Sequence, residues 1–345
     1  MDYINYVKQS PMMGQIGLGG GAASLGRYSS AGARWYGTRG IMMNCDQPGT
    51  GEDEICYFTV MSTGNATDFG NLIDDQRSGR SGGGGPTRAA ISGNHDTYPI
   101  DYITIATTGN AQDFGDMGTR RIESCPMCNG TRLVFAGGRG NPGANLTSME
   151  FITLETTGNA SNYGTITTDV GSSNQNCKGM SGTSDATRGL FAGGGDTGSS
   201  GTSTDRIGYI TVDTNGNSTD FGNLLAYNGG MGAGTSGAGR AVFGGGGHPL
   251  PSIWPITGQT NVIQYVTVQS AGNATDFGDL TEYRRALGGL AGGPAAERAV
   301  FCGGYKSPSR VNTMDYVTIA NTGNASNFGD MIVTSTQRQC CSGDA

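Results

Sequence analysis

One pattern recurs six times in this chain and limits what it can fold into. It reads IDYITIATTGNAQDFGDM over Ile100–Met117, with variants beginning at Ile55, Met149, Ile207, Ile263 and Met314. Its Gly-Asn element places Asn at 65, 110, 159, 217, 273 and 324, about 45 to 58 residues apart. Ahead of each copy an Arg (39, 88, 132, 188, 240, 298) opens a short apolar run that usually ends in a double glycine. A Gly/Ser-rich segment, often holding Arg, joins one unit to the next. Each unit therefore supplies about four short strands: the Gly/Ser segment, the Arg-strand, the DYITI strand and the short DFG strand.

A period near 50 with several strands per unit is the signature of propeller blades. A single four-stranded sheet cannot bury both of its faces, whereas blades stacked around an axis can, and only short edges remain. The DYITI strand is apolar on both parities, Ile100 and Tyr102 on one and Ile103 and Ile105 on the other, as burial on two faces requires. Composition agrees. The chain has 63 glycines in 345 residues and only 14% charged residues, and no apolar run holds a 3.6-residue period over three turns. The expectation is an all-β fold of six four-stranded blades. Three kinds of strand are complete six times, but only five Gly/Ser segments lie between units. The C-terminal tail, Thr336–Gly343, supplies the sixth as the first strand of blade 1. Residues 1–33 then form an N-terminal arm and 34–345 the propeller. The alternative is seven blades, with Arg27–Gly32 as blade 1's first strand and the two chain ends sharing an incomplete blade.

The double glycines (Gly137-Gly138, Gly193-Gly194, Gly303-Gly304), the aromatic of the third strand (Tyr102, Tyr209, Tyr265, Tyr316) and the later aromatic (Phe114, Phe221, Phe277, Phe328) follow the order of the kelch-repeat β-propellers, which the chain resembles over about 36–345. It departs from them at the last aromatic, where Phe or Tyr replaces the usual Trp. The fuller wording, TRGxFxGG with DYITIxTTGNAxDFGDL, resembles repeat proteins of marine bacteriophages, notably those infecting cyanobacteria. That resemblance implies a structural or interaction role and brings no catalytic residues.

Charge narrows the partners. Net charge is −7 and the only lysines are Lys8, Lys178 and Lys306, so no basic face is offered to nucleic acid. No stretch of 18 apolar residues suggests a membrane span. The first twenty residues lack the apolar core of a secretory signal, which fits a cytoplasmic protein or one released by lysis.

Several motifs tempt a catalytic reading. Asp113-Phe114-Gly115 has the letters of a kinase metal motif, yet it recurs without a catalytic or nucleotide loop and reads as an outer strand with an inward aromatic. The repeated Arg invites a pairing with the DFG Asp, but that Asp is Asn162 and Asn327 in two units that keep their Arg. Hydrogen bonds from Arg to turn carbonyls suit all six copies. Thr-Gly-Asn-Ala reads as a tight turn whose Asn bonds nearby amides. The eight cysteines do not keep step with the repeat. Cys125-Pro-Met-Cys128 is a lone CxxC without a second ligand pair, and Cys56 and Cys302 read as small packing residues. The acidic run Glu52–Glu54 near Asp46 lacks the spaced carboxylates of a calcium loop.

No metal, cofactor or catalytic set is expected, and no enzyme. What breaks the repeat is the loop Gly247–Asn261, GHPLPSIWPITGQTN, stiffened by three prolines and carrying the candidate binding residues His248 and Trp254, Trp being a common anchor at binding surfaces. The polar loop Asp196–Asp205 joins the same strand pair, so both should leave from one face. The expected function is that of a virion protein in a tail fibre, appendage or capsid decoration. Its arm would meet other virion proteins and its loop face a host surface glycan or protein. A cytoplasmic kelch-type adaptor is the alternative and a carbohydrate-active enzyme the third.

Overall fold

A computed structural model describes residues 36–43, 53–73, 79–92, 98–140, 143–167, 177–195, 203–225, 232–247, 259–334 and 339–344. The N-terminal arm expected over 1–33 lies outside them. The described residues contain no helix, and so none long and apolar enough to cross a membrane. They form six four-stranded antiparallel sheets arranged as the blades of a β-propeller.

From axis to rim, blade 2 consists of Ser81–Gly84, Arg88–Ser92, Pro99–Thr104 and Gln112–Asp116. Blades 3 to 5 repeat that order over Cys125–Thr165, Ser181–Asn223 and Ala233–Asp279, and blade 6 over Gly288–Asp330 with a small extra hairpin, Tyr305–Arg310. Blade 1 is assembled from both ends of the propeller sequence. Its inner strand is Gln339–Gly343, paired antiparallel with Arg39–Met43, followed by Glu54–Thr59 and Thr67–Asn71. Arg39 lies opposite Gly343 and Met43 opposite Gln339. The ring thus has six blades and closes through the C-terminal strand, which takes the place that the seven-blade alternative gave to Arg27–Gly32.

The core is six clusters, one in each gap between neighbouring blades. Ile41, Met43 and Ile55 of blade 1 pack with Ile91, Ile103 and Ile105 of blade 2. On blade 2's other side, Ile100 and Phe114 pack with Leu133 and Phe135 of blade 3. The last gap joins Val300 and Phe328 of blade 6 to Met42 and Phe58 of blade 1. Alternate residues of one strand therefore serve two different cores, which is why DYITI carries apolar residues on both parities. Cys56 and Cys302 are buried in the gap between blades 6 and 1 as packing residues. Within each blade the third-strand aromatic meets the outer-strand aromatic edge to face, as Tyr102 meets Phe114 with centroids 5.8 Å apart, a geometry that aromatic quadrupoles favour.

The repeated polar residues form seams between blades. Each strand-opening Arg stacks over its own blade's third-strand ring and donates from Nη1 to the carbonyl just past the third strand of the next blade. Arg39 lies 4.6 Å from the Tyr57 ring centroid and donates to Ile105 O at 2.8 Å. The series runs around the ring and closes with Arg298, which donates to Val60 O at 3.0 Å. The expected Arg-to-turn bonding is present, but it crosses a blade boundary.

The Gly-Asn-Ala element corrects the sequence reading. Its Asn does not serve a local turn. Asn110 Oδ1 accepts from the amide of Asn71 in the preceding blade at 3.1 Å, and Gly109 N and Ala111 N donate to Phe69 O and Asn71 O, both at 2.8 Å. The same clasp recurs at every boundary, ending with Asn65 Oδ1 on Asp330 N. It covers an outer strand edge that would otherwise expose unpaired backbone groups. The reason sequence suggested a turn is that Gly and Asn favour turns locally, and tertiary pairing has overridden that preference. The clasp also explains the glycine of DFG. Gly115 sits at φ 139° beside a β-bulge, and a Cβ there would strike the backbone of Gly158 in the next blade.

Candidate functional site

Strand polarity sorts the connections onto two faces. In blade 2 the start of the inner strand pairs with the end of the second (Ser81 with Ser92), and Ile100 near the start of the third lies beside Gly115 near the end of the outer. Connections from second to third strand, and from each outer strand to the next blade, therefore leave from one face, here the loop face. The opposite face carries the short turns after the inner strand and the Gly-Asn-Ala clasps, and the clasps hold a seam at every blade boundary.

Five of the six exposed large hydrophobic side chains among the described residues belong to the loop face: Ile73, Tyr98, Leu225, Tyr283 and Ile332. Only Met61 belongs to the other. His248 and Trp254 lie outside the described residues. The strand ends that carry their loop, Gly244 and Val262, open on the loop face, where Gly247 and Gln259 form a bridge at its base. Ala192 and Arg206, which flank the Asp196–Asp205 loop, hold the equivalent positions in blade 4.

Beneath the loop face lies a set of buried charges that the sequence reading did not assign. The third residue of the DYITI strand in blades 2, 3 and 6 is Asp101, Glu150 or Asp315, and each is paired to an Arg of the segment entering its own blade. Arg80 Nη1 lies 3.2 Å from Asp101, Arg121 Nη2 3.1 Å from Glu150, and Arg284 Nη2 2.6 Å from Asp315. The same carboxylates accept from the backbone leaving the preceding blade: Ile73 N to Asp101, Gly118 N to Glu150 and Thr281 N to Asp315. Each carboxylate thus clamps a blade exit to a blade entry. In blade 5 the neutral Gln264 receives Leu225 N at 2.6 Å. Burial pulls the Arg121 guanidinium below its ordinary pKa, a shift that the charge and hydrogen bond of Glu150 oppose. The sequence signal was the pairing of an Arg-bearing Gly/Ser segment with an acid in an otherwise apolar strand.

The six inner strands surround an axial cavity of about 120 Å³. Glycines dominate its wall, with the hydroxyls of Ser124, Ser181, Thr235 and Ser236 among them and Arg80 and Glu123 among its charged residues. Cys128 of the CxxC lines it too, and burial pushes its thiol up to about 12. Burial likewise raises Cys125 and Cys341. These thiols are poor nucleophiles, since only the thiolate reacts. Among the described residues, no three His, Cys, Asp or Glu side chains gather as a metal site.

Among the described residues, blade 6 alone carries a two-stranded hairpin sheet between its second and third strands, whereas in blade 3 the equivalent connection is closed by a single bridge between Arg139 and Asn145. Tyr305 N and O exchange hydrogen bonds with Arg285 of the segment entering the blade, and the Arg285 guanidinium lies 5.2 Å from the Tyr305 ring centroid. Lys306 Nζ meets Glu282 at 2.5 Å, and Ser307 N donates to Gln259 Oε1 at the base of the Trp254 loop. Burial pushes the Glu282 carboxyl up, but hydrogen bonds from Lys306 and Thr313 and the Lys306 charge outweigh it and hold the group below its ordinary pKa. The hydrogen bond and charge of Glu282 raise Lys306 in turn.

This arrangement is a rigid ring with one face of committed turns and one of variable connections. No family model matches the chain, and no curated protein matches it.

Proposed function

We propose that this protein is a non-enzymatic interaction module carried on a bacteriophage particle, in a tail fibre, appendage or capsid decoration, and that its loop face is the contact surface. The observation that carries the interaction reading is the segregation of irregular connections and exposed large hydrophobics onto one face. On soluble proteins, scattered apolar residues are ordinary, but a bias of five to one between two faces is what a contact surface produces. The kelch-like order of glycines and aromatics, and the phage-like wording of the repeat, support the class and the setting. In this reading the arm 1–33 docks on the virion, and the loop bearing His248 and Trp254 adds to the contact face.

Mass spectrometry of purified particles tests the setting, with the protein expected among virion components. Its absence from particles would defeat the phage reading. Capture of a cytoplasmic protein through the loop face would then favour the adaptor.

A further inference from the structure

We infer that the Tyr305–Arg310 hairpin and Tyr283 form a saccharide-binding patch, which takes a neutral pyranose against the Tyr283 ring and its hydroxyls on the Lys306–Glu282 pair. The inference rests on the loop face being the working face, and it names the chemistry of one part of that face.

Four observations lead there. First, the residues depart from the repeat. Register through Gly118 and Thr281, whose amides meet equivalent carboxylates, aligns Glu282 and Tyr283 with Thr119 and Arg120 of blade 3. Neither supplies a hydrogen bond of the Arg284–Asp315 clamp. Second, the patch is preorganised. The hairpin is tied to its own blade entry by two backbone bonds, a stacked guanidinium and an ion pair, and to the neighbouring loop base by Gln259. Little ordering entropy is then lost on binding.

Third, Tyr283 leaves 43% of its surface exposed, and the Lys306 ammonium lies 5.7 Å from its ring centroid. An aromatic ring with adjacent polar groups matches a sugar, whose C–H face is apolar and whose edge is hydroxylated. The ammonium donates and the carboxylate accepts, so a pair 2.5 Å apart offers both functions to vicinal hydroxyls. The pair has no net charge, so the ring it suits is neutral. Fourth, the hairpin tip, Pro308 and Ser309, is exposed but not strongly apolar. A protein partner would call for a larger apolar centre.

The test is saturation-transfer NMR on the full chain with the methyl glycosides of glucose, galactose, mannose, N-acetylglucosamine and glucuronic acid at millimolar concentration. At least one neutral glycoside is expected to give a signal, with at least tenfold weaker binding in Tyr283→Ala and a comparable loss in Glu282→Gln. Met61→Ala, which removes a similarly exposed apolar side chain from the opposite face, is expected to bind as the parent does. No signal from any glycoside, a response confined to glucuronic acid, or full binding by Tyr283→Ala would overturn the inference. A chain that captures a partner through its loop face but binds no glycoside overturns this inference and leaves the proposed function standing.

Discussion

Replacing Asp315 by Asn tests how far the ring depends on its buried charges. The Arg284 and Asp315 side chains both have no solvent exposure and meet at 2.6 Å. Arg284 also donates from Nη1 to Gly303 O at 2.9 Å and Thr313 O at 2.6 Å, while Thr281 Oγ1 donates to Asp315 Oδ1. Asn preserves the volume and one acceptor but leaves a guanidinium charge buried without its counter-ion. Breaking a buried pair in this way costs about 3–5 kcal/mol. With an unfolding entropy of roughly 2 cal/mol/K per residue over the whole ring, that is a fall in Tm of about 5–8 °C. Blade 5 indicates how to restore the loss, because Gln264 holds the same exit amide without an ion pair. The double variant Arg284→Met, Asp315→Gln should therefore melt well above Asp315→Asn alone. Differential scanning calorimetry reads both. A Tm for Asp315→Asn within a degree of the parent would refute the reasoning, as would a double variant no more stable than that single one.

Other expectations follow from the seams and the buried thiols. Deleting 334–345 removes the inner strand of blade 1 and should abolish cooperative thermal unfolding; an unchanged transition would contradict closure by that strand. Gly115→Ala forces a Cβ against the Gly158 backbone at φ 139° and should lower the unfolding free energy, read by urea denaturation, by more than the ~1 kcal/mol typical of a point substitution, whereas Gly109→Ala, with no neighbour in reach of its Cβ, should cost less. In native protein, Cys125 and Cys302 should resist iodoacetamide while the unfolded chain is labelled throughout, as read by peptide mass spectrometry. Burial raises the Cys125, Cys128 and Cys341 thiols above their unfolded value of 9.0. Their contribution to stability is therefore full below pH 9 and is lost as pH climbs toward the folded values, so alkaline melts should show a decline that conservative Cys→Ala or Cys→Ser variants reduce.

Much of the fold was legible because the repeat carries it. Strand number, the dual-faced DYITI strand and closure by the C-terminal tail all follow from counting segments and from where apolar residues fall. The Arg-to-carbonyl bond was also within reach, since Asn162 and Asn327 exclude an obligatory ion pair with the DFG Asp. What sequence could not give is the partner's address. Asn110 and Asn71 are 39 residues apart, and a Gly-Asn pair looks the same whether it closes a turn or clasps a neighbouring blade. The buried pairs were missed for a related reason. Arg284 lies in a segment that reads as a polar loop, and Asp315 in a strand where a lone acid looks like a surface residue. Only the stacked blades enclose them. The candidate site is less legible still. Trp254 stood out by rarity, but Tyr283 and Lys306 are ordinary residues, brought together by a short hairpin that no periodicity announces.

The seams also limit where this protein can vary. Each repeated Asn and each strand-opening Arg has its partner in the neighbouring blade, so every one must be answered around a closed circle: Asn65 reaches back to Asp330, and Arg298 forward to Val60. An altered clasp or Arg would injure two blades at once. The turns of one face are consumed by these bonds and cannot lengthen without opening a gap. On the loop face the strand ends are already held by ladders of paired residues, such as Arg240 to Gly244 against Thr267 to Ile263. An insertion there adds only a loop-closure cost, which grows slowly with length. The long Gly247–Asn261 segment and the Tyr305–Arg310 hairpin both occur where that tolerance exists. Recognition by this ring is thus expected on the loop face, because the other face is already committed to holding the blades together.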